Sequence, residues 1–203
     1  MAISYPLALP THTGIAQIEL RATNAVAYSR SPFTFAGQAH AYAGEMWQAD
    51  VTLPPMKRED AERWIAWLVS LRGQYGSFYL GDPTGTAPRG TATSDSDVGS
   101  LTASAGDRTV SLTITSGKTL KAGDYIQIGS GTGRELHKVL ENVTGTGSAQ
   151  DVEIWPAIRT DRSSSGTFSN NTKGRFRLAS NETSWSINEA SIYGITFGAF
   201  ERL

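Results

Sequence analysis

The sequence predicts a mainly β fold: a β-sandwich frame with one amphipathic α-helix and an inserted small β-barrel module of OB-like type. Three observations lead to it. Apolar and polar residues alternate with a period of two over much of the chain, the mark of strands with one buried face. A helical period replaces it in one place, between Arg58 and Arg72. Two stretches poor in large apolar residues, Thr84–Gly106 and Thr160–Asn171, bracket a second strand-rich block.

The elements follow in order. Ile15, Gln17, Glu19 and Arg21 alternate with Ala16, Ile18 and Leu20, and the strand-like pattern runs on from Thr13 to Leu53. A hairpin turn is expected where Phe33-Thr34-Phe35 meets Ala36-Gly37-Gln38. Trp47, Ala49, Val51 and Leu53 form the clearest inward face of this half, and Pro54-Pro55 ends it. Ala61, Trp64, Ile65, Leu68 and Leu71 then form one helical stripe. Glu59, Asp60 and Glu62 are placed in its first turn, where the helix dipole favours carboxylates, with Arg72 in the last turn and Gly73 as the left-handed stop. Trp47, Leu53, Trp64, Ile65, Leu68 and Leu71 are the expected core. Trp67 lies beside the stripe and either widens it or faces a partner.

After Tyr75–Leu80, the Gly-, Ser- and Thr-rich run from Thr84 reads as a linker or long loop. Thr109–Thr115, Asp124–Ile128, Glu135–Val143 and Val152–Trp155 read as short strands, with Leu101–Ala105 as a weak opener. Gly174–Leu178, Thr183–Ile187 and Ile192–Glu201 close the chain as strands. The expected organisation is a discontinuous frame of residues 1–90 and 166–203 enclosing a module of residues 91–165.

Composition excludes more than it assigns. The 203 residues carry 18 Lys+Arg against 19 Asp+Glu, too balanced to draw the chain to nucleic acid or an anionic membrane by its overall field. The absence of cysteine removes disulfides, thiol catalysis and thiolate-bound metals. No secretory signal is read in the first residues, and no apolar run reaches the ~18 residues of a membrane span.

Candidate chemistry is sparse, and neither catalytic residues, metal nor cofactor is expected. His12, His40 and His137 stand in separate segments without a second ligand at helix or hairpin spacing. Gly129-Ser130-Gly131-Thr132-Gly133 has the look of a phosphate loop, but a strand-like run follows it where a helix is required, so a flexible hairpin tip is the reading adopted. Glu59 and Glu62 share a helix face, but Arg58 and Arg63 stand ready to pair with them. Arg159, Arg162, Lys173, Arg175 and Arg177, interleaved with Phe168 and Phe176, form the one local cationic bias, weighed as a single-strand binding surface and set below a solvated or inter-subunit face. Three Asn-x-Thr triplets, at Asn142, Asn170 and Asn181, are read as chance. Trp155 and Trp185 punctuate β-runs and read equally as core or as interface anchors; with Trp67 they are the candidate interface anchors.

Two sets of phrases look familiar. One is Glu45–Met56 continuing through Ala61–Leu68 to Gly76–Pro83; the other joins Leu120–Gly129, Val152–Pro156 and Trp185–Leu203. Together they resemble the distal tail proteins of long, flexible-tailed bacteriophages. The resemblance implies a β-sandwich with one packed helix, six copies closing into a ring that joins tail tube protein to tail-tip hub protein, and an outward module that is OB-like or carbohydrate-binding. It implies a virion protein assembled in the host cytoplasm. The module lacks the aromatic cluster of a sugar platform, so anchoring of side fibres stands beside glycan binding. A tail tube or tail-terminator subunit, and a stand-alone carbohydrate-binding module, are the alternatives; an enzyme is not expected.

Overall fold

The structure, a computed structural model, describes residues 3–11, 13–163 and 172–203. The expectations for His12, Phe168 and the triplet at Asn170 lie outside the described residues, as does the frame's restart at residue 166. The chain is mainly β, with one α-helix and a curled half-barrel sheet.

In chain order the strands are β1 (Gln17–Arg30), β2 (Gly37–Thr52), β3 (Met56–Lys57), β4 (Phe78–Leu80), β5 (Val98–Thr102), β6 (Thr109–Ile114), β7 (Thr119–Leu120), β8 (Tyr125–Ile128), β9 (Glu135–Val139), β10 (Val143–Thr144), β11 (Ala149–Trp155), β12 (Gly174–Leu178), β13 (Trp185–Ile187) and β14 (Ile192–Glu201). The helix, α1 (Arg58–Ser70), lies between β3 and β4. A seven-stranded antiparallel sheet in the order β1-β2-β14-β12-β4 forms the frame. β3 and β13 pair with the first half of β14, and Tyr193 is opposite both Met56 and Ile187.

One face of α1 packs on this sheet. Ala61, Trp64, Ile65 and Leu68 are buried against Phe78, Phe176, Ile195 and Phe197. The N-terminal segment crosses over the helix: Trp64 Nε1 donates to Thr13 Oγ1 at 2.6 Å, Trp67 Nε1 to Ala8 O at 2.8 Å and Tyr5 Oη to Ser70 O at 2.6 Å. Both sides of the stripe are thereby covered. Trp67, expected as a possible anchor, is only 8% exposed and joins the core beside Phe78 and Phe197.

The helix ends earlier than its periodicity predicts. Ser70 is its last residue and Leu71 its cap, so Arg72 lies beyond the last turn. Arg72 itself takes φ 53°, and Gly73 follows at φ 64°. Gly73 is required twice over, because a Cβ there would sit 2.9 Å from the Asn181 backbone. Glu62 falls outside the first turn; Arg58 meets Glu62 at 3.4 Å and Arg63 meets Glu59 at 3.6 Å, as helical i,i+4 pairs.

The inserted segment has its own apolar cluster, drawn from Ala92 to Ile158 and including Val110, Leu112, Ile114, Ile126, Val139, Val152 and Ile154. Its five-stranded sheet runs β5-β6-β11-β9-β8, with β7 and β10 as a separate pair. β5 and β8 stand at opposite ends without pairing, so the expected small barrel is an open, curled sheet. The expected linker is also corrected. Ser94 and Asp97 form a capping box around a 3-10 turn at Asp95–Asp97, and Ala92, Val98, Leu101 and Ala103 are buried. Buried Asp124 fixes the incoming chain by accepting from the N–H groups of Arg89, Gly90 and Lys121 at 2.8–3.2 Å.

Candidate assembly surfaces

β1 and β2 form a long hairpin of which only the base belongs to the frame. β14 pairs with β2 from Gln48 to Thr52; beyond that, β2 has β1 alone. The register slips between Asn24 and Val26, and five further pairs carry the hairpin out to the Ser31–Ala36 turn. Seven residues at 3.4 Å make an arm of about 24 Å. Val26, Tyr28, Phe35 and Tyr42 are exposed along it, and Phe33 at its tip is 91% exposed. Arg30 is the one formally charged residue from Asn24 to Gly44, and its guanidinium lies 4.5 Å over the Phe35 ring. Among the described residues, no strand pairs with the outer edge of the 14-residue β1. Edge strands are normally guarded by charges, Pro or a cover, because their free N–H and C=O groups invite another strand. The strand-like pattern from Thr13 to Leu53 places the hairpin turn but does not tell the arm from the frame; the lack of charged residues between Asn24 and Gly44, Arg30 apart, is the signal that could have marked it.

A second exposed apolar patch lies on β13 and the start of β14. Trp185 is 40% exposed there, next to exposed Ile187 and Ile192. A shallow cleft of about 520 Å³ runs beside it, bounded by Leu53, Pro55, Trp185 and Ile195. Trp155, the other proposed anchor, is half-buried and already engaged. Its ring stands perpendicular to that of Trp47 at 4.6 Å, and its Nε1 donates to Asn24 Oδ1 at 2.7 Å. It ties the base of the arm to the inserted module.

Trp47 lies where the frame meets the module. Tyr125 and Leu136 of the module belong to the frame's apolar cluster, and Trp47 Nε1 donates to Leu136 O at 2.9 Å. Around this contact three carboxylates are buried. Glu45 accepts from Arg108 Nη2 at 2.7 Å and Ala157 N at 2.8 Å; Glu201 accepts from Arg159 Nη2 and Trp47 N, both at 3.1 Å. Glu135 accepts from Arg162 Nη2 at 2.6 Å, Thr160 Oγ1 at 2.8 Å and Arg159 N at 3.1 Å. His137, 0% exposed, donates from Nδ1 to Pro156 O at 2.7 Å, since a carbonyl can only accept. Its Nε2 is 3.4 Å from Glu135 Oε2.

Burial acts to raise the Glu135 pKa, but the His137 ring, the Arg159 N–H and the Thr160 hydroxyl outweigh it and bring the carboxyl down to about 2. At Glu201 burial wins over the charge of Arg159, and its pKa is raised. This network was invisible in the sequence because its members come from β2, β9, β14 and the segment after β11.

The remaining candidates separate. His40 lies exposed on the arm, edge-on to Tyr42 at 4.7 Å, far in the fold from His137, and no metal-holding cluster occurs among the described residues. Gly129–Gly133 is the β8–β9 tip, but it is pinned rather than free: Tyr79 Oη, Arg175 Nη1 and Arg162 Nη2 donate to the carbonyls of Gly131, Thr132 and Gly133 at 2.9, 3.1 and 2.8 Å. Of the cationic bias, Arg159 and Arg162 are used in the junction. Phe176 is fully buried, so it offers no stacking surface to a base. No described helix is long and apolar enough to cross a membrane. In comparisons with known proteins, no family model matches the chain and no curated protein is significantly similar to it.

Proposed function

We propose that the chain is a structural ring subunit of a phage tail tip, a non-enzymatic virion protein that closes with copies of itself, in a hexamer, between tail tube and hub proteins. The resemblance stated above supplies the class. The observation that carries the assembly role is the β1–β2 arm: about 24 Å of two-stranded ribbon with exposed aromatics and a single formal charge. Such a ribbon has too little burial to be stable alone in water and gains a face when it meets a second chain. The apolar patch at Trp185 lies on different strands from the arm. Two unlike patches on one subunit are what a head-to-tail contact repeated by rotation uses, and rotation that closes gives a ring. The inserted module, locked to the frame at Trp47, is in this reading a rigid outward part of each subunit suited to holding side fibres.

The test is native mass across a concentration series. The expected result is a species at six times the 21.8 kDa subunit mass, lost when Phe33 and Phe35 are both replaced by Ser. A chain that stays a monomer at all concentrations, also in the presence of tail tube protein, overturns the reading.

A further inference from the structure

The cationic bias seen in the sequence divides in the fold, and one part of it has no carboxylate partner among the described residues. The burial of β12 alternates: Gly174, Phe176 and Leu178 face the core, so Arg175 and Arg177 stand on the opposite, outer face. Arg175 is directly opposite Tyr79 in the pairing of β12 with β4, and the Arg134 guanidinium lies 4.3 Å over the Tyr79 ring. Arg202 follows buried Glu201, and its N–H donates to Arg175 O at 2.8 Å. Four guanidinium-bearing residues therefore gather at one edge of the frame.

None of the four forms an ion pair among the described residues. Asp50 and Glu19, the acids farther along the sheet on β2 and β1, are both engaged by Arg21. Two of the four are held in place without being neutralised: Arg175 donates from Nε to Ser77 Oγ and from Nη1 to Thr132 O, each at 3.1 Å, and Arg134 is fixed on its ring. The Nε groups of Arg134 and Arg177 are buried and, like those of Arg159 and Arg162 in the junction, have no acceptor among the described residues, but Arg134 and Arg177 also have no carboxylate beside them there. Residues two apart on a strand face have Cα atoms about 7 Å apart, so Arg175 and Arg177 put two like charges on one side of β12. Guanidinium groups gathered on one face with no carboxylate to balance them favour the approach of an anion.

We propose that this face, Arg134, Arg175, Arg177 and Arg202, binds a tetrahedral oxyanion of the phosphate class. Guanidinium forks grip such an anion through paired N–H···O bonds, and donors arriving from β12, the β8–β9 tip and the end of β14 suit a group with several oxygens better than a planar carboxylate. The site recognises the phosphate alone. Tyr79 is already covered by Arg134, leaving no bare ring on which a base could stack. The inference stands apart from the ring reading, since every residue in it belongs to one subunit.

The test titrates the full chain with sodium phosphate, and separately with sodium chloride at matched ionic strength, reading heat by calorimetry and the thermal midpoint in parallel. Phosphate is expected to bind and raise the midpoint, and chloride to do neither. R177Q and R202Q, which remove side chains holding nothing else in the fold, are expected to keep the unliganded midpoint and to weaken phosphate by about tenfold or more, the loss of one charge-assisted bond. R58Q, on the helix, is expected to bind as wild type. Dimethyl phosphate separates the sources: binding equal to that of inorganic phosphate assigns a phosphodiester polymer, and weaker binding assigns a free or terminal phosphate. Equal effects of phosphate and chloride, unchanged affinity in both R177Q and R202Q, or acetate binding as tightly as phosphate would each overturn the proposal. If R177Q lowers the unliganded midpoint, R202Q alone decides.

Discussion

The two principal hairpins, β1–β2 and β8–β9, are built alike and treated differently by the rest of the chain. The β8–β9 tip has three successive carbonyls taken by Tyr79, Arg175 and Arg162, donors from β4, β12 and the segment after β11. The β1–β2 tip has only itself. Its turn closes through Ser31 N donating to Ala36 O, and the Ser31 hydroxyl accepts weakly from Phe33 N and Thr34 N at 3.3 Å. The short hairpin is thus part of the solid, whereas the long one leaves it. Length alone does not make the difference. What separates them is whether side chains elsewhere in the fold reach the tip, and for the arm none does among the described residues.

That contrast can be broken from the pinned side first. Arg162→Ala removes the bond to Gly133 O and takes the paired guanidinium from buried Glu135, so it should cost about 3–5 kcal/mol in urea unfolding. Acid should act on the same place. The depressed Glu135 carboxyl contributes above its unfolded value of about 4.5, and that contribution, roughly 3 kcal/mol, is lost as pH falls toward about 2. Glu201 has the opposite sign: its raised pKa makes burial a cost at neutral pH that acid relieves. Glu135→Gln should therefore be less stable at pH 7 but lose less than wild type between pH 4.5 and pH 2, measured by the urea midpoint. Parallel pH curves for the two proteins would show that Glu135 does not carry the acid response.

Tyr79→Phe is gentler. It deletes the hydroxyl bond to Gly131 O and keeps the ring beneath Arg134, with an expected cost of about 0.5–1.5 kcal/mol. On the arm, Phe33→Ser should change monomer stability by no more than about 0.5 kcal/mol, since the side chain touches little. A stability loss of the size expected for Arg162→Ala would mean that the arm packs on its own subunit, and the contrast would vanish.

The helix was legible because its stripe repeats at 3.6 residues, and the strands at Trp47–Leu53 and Thr109–Thr115 because their alternation is plain. Errors came where distant segments decide the outcome. Trp67 is off the stripe in the helix, yet the N-terminal segment closes over that flank and makes it core. Thr84–Gly106 looks like linker by composition, but Ser94 and Asp97 cap a turn there, and small residues bury well under a sheet. The carboxylates of the junction each sit among unremarkable neighbours in sequence, and only the meeting of β2, β9 and β14 reveals them. For the arm, strand-like alternation gave the hairpin but not its projection from the frame, which depends on where β14 stops pairing with β2.

Where the chain leaves the frame and where it comes back are almost the same place: Thr172 Oγ1 lies 3.5 Å from Gly85 O. A segment with adjoining ends can be exchanged between genes as a cassette without moving the strands on either side. Here exchange carries a condition. Tyr125 and Leu136 of the module fill part of the frame's own core, so a replacement domain has to bring two apolar side chains to the same spot or leave Trp47 facing water. Recombination is free at the ends of this cassette and constrained at its flank, and variation among descendants of such a gene should follow that line.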